Sequence, residues 1–172
     1  MTALAANIHV PNTSVTVRPA HPEDCETILR MIRALAQYQG IGDRVTARLE
    51  NLRRDGFGPT PRFEALIAEA NGRPVGLAMV QLTYSVWEAA ASLQITDLFV
   101  DEPARGTGVG FRLVIEVARL AAERGCTGLQ LNMVHANPSR TSLDRIGFVH
   151  QDDLLHYTLD AKGLKKLLEM AP

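Results

Sequence analysis

The stretch Gln94-Ile95-Thr96-Asp97-Leu98-Phe99-Val100-Asp101-Glu102-Pro103-Ala104-Arg105-Gly106-Thr107-Gly108-Val109-Gly110-Phe111 decides the fold. Gln94 to Val100 carries β-branched and aromatic residues at strand spacing. Asp101, Glu102 and Pro103 stop that strand, and Phe111 to Arg124 has helical periodicity. Between them lies Arg105-Gly106-Thr107-Gly108-Val109-Gly110. A glycine-rich turn from strand to helix gathers backbone N–H groups and the positive end of a helix dipole around one point, which makes an anion site and most naturally a phosphate site. A Cβ there would keep phosphate oxygens away from the amides.

The spacing excludes two common phosphate binders. A P-loop needs a Lys after its last glycine, and none follows Gly110. The dinucleotide fingerprint needs a third glycine where Phe111 stands, and the preceding βαβ context is missing. An ordinary glycine-rich connection is the plain alternative.

Outward from this turn the chain reads as one domain. Residues 1–13 form a flexible N-terminal arm and 14–172 the domain. Thr13 to Arg18 alternates as a first strand, ended by Pro19. Pro22, Glu23 and Asp24 start a helix whose apolar face is Ile28, Leu29, Ile32, Leu35 and Ala36. A second helix is expected over Arg44 to Asp55, then a loop over Gly56 to Pro61. Phe63 to Ala70 and Pro74 to Tyr84 are strands joined by the hairpin dipeptide Asn71-Gly72. Gly128 to Val134 is a further strand. His135 to Ser139 leads to a short helix ending near Gly147. Phe148 begins a last hairpin with Leu154 to Leu159, and a basic helix over Ala161 to Met170 closes the chain.

Composition narrows the partners. The 172 residues are 46% apolar and 22% charged, with a net charge of −1. That balance gives no electrostatic reason to expect nucleic acid or an anionic membrane. Only 5% of residues are aromatic, too few for a surface that stacks single strands. No apolar run approaches about 20 residues, so no membrane span is expected. Met1 to Val10 lacks the basic-then-apolar pattern of a signal peptide. Cys25 and Cys126 read as reduced thiols in a cytoplasmic protein. His9, His21, His150 and His156 show no metal-ligand spacing, and Asp152-Asp153 reads as a turn, so no metal is expected.

The pattern R-x-x-G-x-G, carried by Arg105, Gly108 and Gly110 after Leu98-Phe99-Val100-Asp101-Glu102-Pro103-Ala104, resembles the coenzyme A pyrophosphate loop of the GNAT N-acetyltransferases. Met31 to Tyr38, Asp55-Gly56-Phe57-Gly58, Pro74 to Met79, Thr83-Tyr84 with Trp87, Asp97 to Val100, Asn137-Pro138-Ser139, and Arg145 with Gly147 are similar in order and spacing to the diamine (spermidine/spermine) acetyltransferase branch. The resemblance implies an α/β (α+β) fold. Its central sheet is mixed, mostly antiparallel, of six to seven strands, flanked by helices and splayed at the coenzyme site. It implies an N-acetyltransferase with acetyl-CoA as cosubstrate, a small-molecule amine as acceptor (diamine, polyamine, amino acid or related amine) and a homodimer. A catalytically silent module that binds coenzyme A as sensor or scaffold is the competing reading.

By the same resemblance, Leu98, Phe99 and Val100 meet the pantetheine arm, and Arg105, Gly106, Thr107, Gly108, Val109 and Gly110 hold the pyrophosphate. Asn137 and Ser139 line the pantetheine side. Arg145 approaches a coenzyme phosphate, or is an ordinary surface charge. Tyr84, Trp87 and Asp97 are substrate-binding candidates. Three positions depart from the branch: Thr96 stands where a Glu acts as proton acceptor, Leu143 where a Tyr would protonate the thiolate, and Ser85 where an Asp helps to hold the amine. Amine attack on a thioester needs a neutral amine, a donor for the carbonyl oxygen and a proton for the leaving sulfur. Thr96 and Asp97 are therefore the catalytic candidates, with Tyr84, Glu88, His135 and Ser142 in reserve. Thr96 can hold a water or be a buried strand hydroxyl. Asp97 faces either the thioester or a dimer groove, since strand neighbours point to opposite faces.

Overall fold

The computed structural model describes residues 15–133, 137 and 140–170. The N-terminal arm, the expected strand positions Thr13, Ser14 and Val134, and the site candidates His135 and Ser139 lie outside the described residues. The chain divides into two compact units, Met1–Val134 and His135–Pro172.

The first unit is built on one sheet in the order β1 (Val15–Pro19), β2 (Glu64–Ala70), β3 (Arg73–Ser85), β4 (Ala90–Val100) and β5 (Gly128–Leu131). The first three pairings are antiparallel and the last, β4 with β5, is parallel. Asn71 and Gly72 take φ of 52° and 73°, the twist a two-residue hairpin requires, and so set the β2–β3 register.

Helices cover both faces. On one side α1 (Cys25–Tyr38) and α2 (Leu49–Phe57) pack on Ala65, Ile67, Leu77, Met79 and Phe99. Ile28 and Met31 of α1 and Ile67 and Leu77 of the sheet are fully buried there. Each contributes about 1.5–3 kcal/mol by leaving water. On the other side lies α3 (Val109–Glu123), which buries Val109, Leu113, Val114, Val117 and Ala121. A Cβ at Gly76 would meet Leu113 and Val109 at 3.0 Å, so Gly76 faces α3 while its neighbour Leu77 faces α1. Arg18 on β1 reaches Asp24 at 2.7 Å and 2.9 Å and Glu69 at 2.9 Å, tying the entry of α1 to the sheet edge.

Two expectations need correction. The second helix begins at Leu49, not Arg44, and runs to Phe57, into the expected loop. Arg48 is extended and its amide donates to Asn51 Oδ1 at 2.9 Å, which caps the helix there. The β-branched Val45 and Thr46 are poor helix formers, and only Gly42–Arg44 makes a short 3-10 turn. The sheet has five strands among the described residues, not six to seven, because the hairpin expected at Phe148 and Leu154 to Leu159 is not strand.

The second unit holds α4 (Arg140–Arg145) and α5 (Ala161–Glu169). Leu154, Leu155, Tyr157 and Leu159 keep a strand-like composition but are exposed. A strand needs both a backbone partner and a buried face, and among the described residues this segment has neither.

Candidate functional site

The turn from β4 to α3 is built mostly from its own backbone. Asp101 N donates to Val75 O at 2.9 Å, and Arg105 N donates to Glu102 O at 3.1 Å across a 3-10 turn. The Thr107 hydroxyl donates to Ala104 O at 2.7 Å. Gly106 and Gly108 then take φ of 76° and 89°, a left-handed conformation that other residues adopt only under strain. Gly108 immediately precedes α3 and brings no side chain to cap it, and the first ladder bond runs from Arg112 N to Gly108 O at 3.0 Å. The helix therefore presents its first-turn amides and its positive end outward. A Cβ at Gly106 would meet nothing within 4 Å, and one at Gly110 only Val100 Cγ2 at 3.6 Å. This cradle is kept open by the absence of side chains, and its donors suit a diphosphate.

The same strand offers a second set of donors and acceptors. β5 pairs with β4 only from Ser92 to Ile95, so among the described residues no strand covers the outer edge of Thr96 to Val100. On the inner edge, Asp101 N bonds Val75 O. Antiparallel alternation then turns the peptide groups of Phe99 and Asp97 toward β3, and those of Leu98 and Val100 outward. This is the splay expected from the resemblance. It leaves the peptide groups of Leu98 and Val100 facing away from β3. Phe99, expected beside them, has its peptide toward β3 and its ring in the core, 5% exposed.

Thr96 is the extra residue of a β-bulge: Met79 pairs with Asp97, and Val80 pairs with Ile95. Without the bulge Asp97 would share a face with Ile95. With it, Asp97 lies opposite Met79, on the face of Leu77 and Phe99 that α1 covers. Thr96 itself is exposed, not a buried strand hydroxyl, and its hydroxyl lies 3.3 Å from Met79 O. Burial pushes the Asp97 carboxyl above its usual range, and the hydrogen bond from Thr96 works against that rise. A carboxylate raised in this way is a better proton acceptor than a free one.

Arg105 is engaged within its own chain. Its Nε donates to Val100 O at 3.0 Å, and its guanidinium carbon sits 4.4 Å from the centroid of the Tyr38 ring and 6.0 Å from that of Phe99. Tyr38 ends α1, so the guanidinium joins α1 to the end of β4, in a cleft that Thr107 and Val109 of the glycine turn also line. A cleft of about 900 Å³ opens here, lined in part by Gln37, Tyr38, Phe99, Asp101 and Arg105. Arg30 of α1 pairs with Asp101 at 3.1 Å and adds a second tie to the end of β4. The sequence gives no sign of the Tyr38 contact, because the two residues meet only through the packing of α1.

The remaining candidates lie on the β3–β4 hairpin and in the second unit. Tyr84 is 65% and Trp87 99% exposed, at the end of the β3–β4 hairpin, with Glu88 beside them. From Met79, opposite Asp97, to Tyr84 the strand runs roughly 17 Å. One chain therefore does not bring Tyr84 and Trp87 to Asp97. In the second unit Leu143 is buried, Ser142 and Arg145 are exposed, and Asn137 O accepts from Arg140 N at 3.2 Å. Cys25 is buried at the start of α1, and that burial pushes its thiol pKa up. Among the described residues no three His, Cys, Asp or Glu gather where a metal would sit, and no helix is long and apolar enough to cross a membrane.

The family model of the GNAT acetyltransferases matches residues 29–148. Thialysine N-epsilon-acetyltransferase of Sus scrofa is 38% identical over 138 residues, covering 76% of this chain and 81% of that protein. The Mus musculus protein of the same name is 33% identical, covering 90% of this chain and 97% of its own. A spermidine/spermine N(1)-acetyltransferase-like protein of Homo sapiens is 32% identical over 69% of this chain, which spans 18% of that longer protein. Among solved structures, an integron cassette protein of V. cholerae superposes with a TM-score of 0.74 at 22% identity, over 91% of this chain and 98% of that one. An aminoglycoside acetyltransferase from a soil metagenomic sample, in complex with sisomicin, gives 0.70 at 16% identity, over 85% and 97%. These two likenesses concern the fold alone. With the glycine cradle, the open edge of β4 and a family match across most of the sheet, this chain belongs to the GNAT family and is an N-acetyltransferase of the diamine acetyltransferase branch.

Proposed function

We propose that the protein acetylates the primary amine of a small molecule, with Asp97 as the carboxylate that meets the amine. Diamines, polyamines, amino acids and lysine analogues such as thialysine are the acceptor classes. The observation that carries this reading is the bulge at Thr96, which turns a carboxylate of raised pKa onto the α1-covered face, next to the exposed edge of Leu98 and Val100. The relatives named for thialysine and for spermidine and spermine support a small amine as acceptor.

Acetyl-CoA, the cosubstrate of the family, supplies when bound an acetyl group activated as a thioester. The chain's own residues do the rest. The amides of Gly106 to Gly110 hold the diphosphate, and the outward peptide group of Leu98 and the outward N–H of Val100 hold the arm and offer a donor to the carbonyl oxygen. Asp97 attracts the ammonium and accepts its proton. The hydroxyl of Thr96 donates to Met79 O and cannot replace Asp97 as a base near neutral pH. Leu143 offers no proton to the leaving sulfur, so the departing thiolate depends on other donors. A positioned acid is worth about 10²–10⁴ in rate, and proximity can supply more than that loss.

We also take residues 14–172 as one catalytic domain, because the family match at 29–148 crosses the boundary between the two units. A homodimer is supported by the apolar hairpin end, where Leu82, Tyr84, Val86 and Trp87 are all more than half exposed. The test of the main reading is free-thiol release from acetyl-CoA with thialysine, lysine, spermidine, putrescine-like diamines and simple amino acids as acceptors. Turnover on at least one is expected. Coenzyme A binding with no turnover on any would overturn it in favour of the sensor reading.

A further inference from the structure

The contact between Tyr38 and Arg105 has no place in the chemistry above. Arg105 is the first residue of the R-x-x-G-x-G pattern, and its charge suggests a phosphate ligand. The structure places it elsewhere. Its guanidinium lies over the Tyr38 ring at 4.4 Å and near Phe99 at 6.0 Å, and its Nε is committed to Val100 O at 3.0 Å. Phe99 is fixed in the α1 core, and Val100 is the last residue of β4. Three elements thus meet at one side chain: the C-terminal end of α1, the end of β4 and the start of the glycine turn. A flat cation stacked on a ring and hydrogen-bonded at its edge has a defined orientation, which a flexible ammonium lacks.

The geometry points to Tyr38 as a positioning residue: by stacking on Arg105 it anchors the glycine turn to α1 and β4, and so sets the coenzyme affinity of the cradle that follows. This inference rests on the reading of that cradle as the coenzyme diphosphate site. It changes the role of Arg105 from a charge on the ligand to a fastener of the loop. Losing the fastener frees a turn that contains two left-handed glycines, and the ligand must then order that turn on binding.

The experiment is calorimetry with coenzyme A on the full chain, at low and moderate salt, for wild type, Tyr38→Leu, Tyr38→Phe, Arg105→Met, Arg105→Lys and the Tyr38→Leu/Arg105→Met double variant. Tyr38→Leu and Arg105→Met should each weaken binding about tenfold, the scale of one well-placed stacked cation. Tyr38→Phe keeps the ring and should stay within about twofold of wild type. The double variant should be no weaker than either single one. Arg105→Lys keeps the charge but loses the planar stack and the Nε bond, so it should behave as Arg105→Met. The ratios should not change with salt, because no charge on the ligand has been removed. In turnover, the KM for acetyl-CoA should rise while kcat and the KM for the amine hold, a split that general loss of folding would not produce. Rescue by lysine, additive losses, or a ratio that shrinks with salt would make Arg105 a direct phosphate ligand and overturn the inference. Unchanged binding in Tyr38→Leu would overturn it while leaving the coenzyme site standing. No binding by the wild type would overturn both.

Discussion

Asp97 stands directly across from Met79 on the face of the sheet that α1 covers, although its neighbour but one, Ile95, faces α3 with Val80. One extra residue in β4 produces that reversal. Asp97→Asn should lower turnover about 10²–10⁴-fold, the worth of a positioned proton acceptor, at unchanged affinity for coenzyme A. In the wild type, turnover should rise with pH through the raised carboxyl pKa, and the asparagine variant should lose that limb.

The same carboxyl makes a stability statement. Burial raises its pKa in the fold, so its contribution is fully present below the unfolded-state pKa and is lost as pH rises through the folded one. Asp97→Asn should therefore raise the thermal midpoint near neutral pH and have no effect in strong acid. A midpoint lowered equally at both ends of the pH range would show that the side chain is held by packing instead.

Arg18 shows the opposite sign. Its guanidinium, first through a hydrogen bond, holds the Asp24 carboxyl below the usual range. That stability is present above the unfolded-state pKa and lost as pH falls through the folded one. Arg18→Ala should cost about 1 kcal/mol near neutral pH, given that the pair is partly exposed. Denaturant unfolding should find the deficit shrinking as the solution is acidified.

Gly108 has φ of 89° at the entrance of α3. Gly108→Val should cost about 1–2 kcal/mol in strain. It should also weaken coenzyme A about tenfold or more, because a branched side chain in that turn moves the amides. Calorimetry beside a thermal melt separates the two effects, and full coenzyme affinity in a folded variant would sink the proposed cradle.

Trp87 is 99% exposed, so its ring buries almost no surface within its own chain. If the hairpin end is a contact between copies, Trp87→Asp should leave the circular dichroism spectrum unchanged and give a monomer by sedimentation where the wild type gives a dimer. A wild-type monomer at micromolar concentration would end the dimer proposal.

Much of this was legible in local sequence. The Asn71-Gly72 hairpin, the strand over Gln94 to Val100 and the glycine turn are short-range signals, fixed by φ preference and by period. Other parts were not. The end of α2 depended on Gly56 and Phe57 continuing a helix after a late start at Leu49, where the bond from Arg48 N to Asn51 Oδ1 outweighed a propensity reading. The strand pattern of Leu154 to Leu159 was real, but pattern alone does not provide a pairing partner.

The amino-acid sequence by itself determined that a side-chain-free bend joins a strand to a helix and that the chain carries the GNAT pattern around it, because those properties depend on neighbours along the backbone. Only the tertiary structure decided where the chemistry points. The face of Asp97 follows from how β4 registers against β3, and the partner of Arg105 from how α1 packs on the sheet. Both are set by contacts between segments distant in the chain, to which a period-2 or 3.6-residue pattern carries no reference.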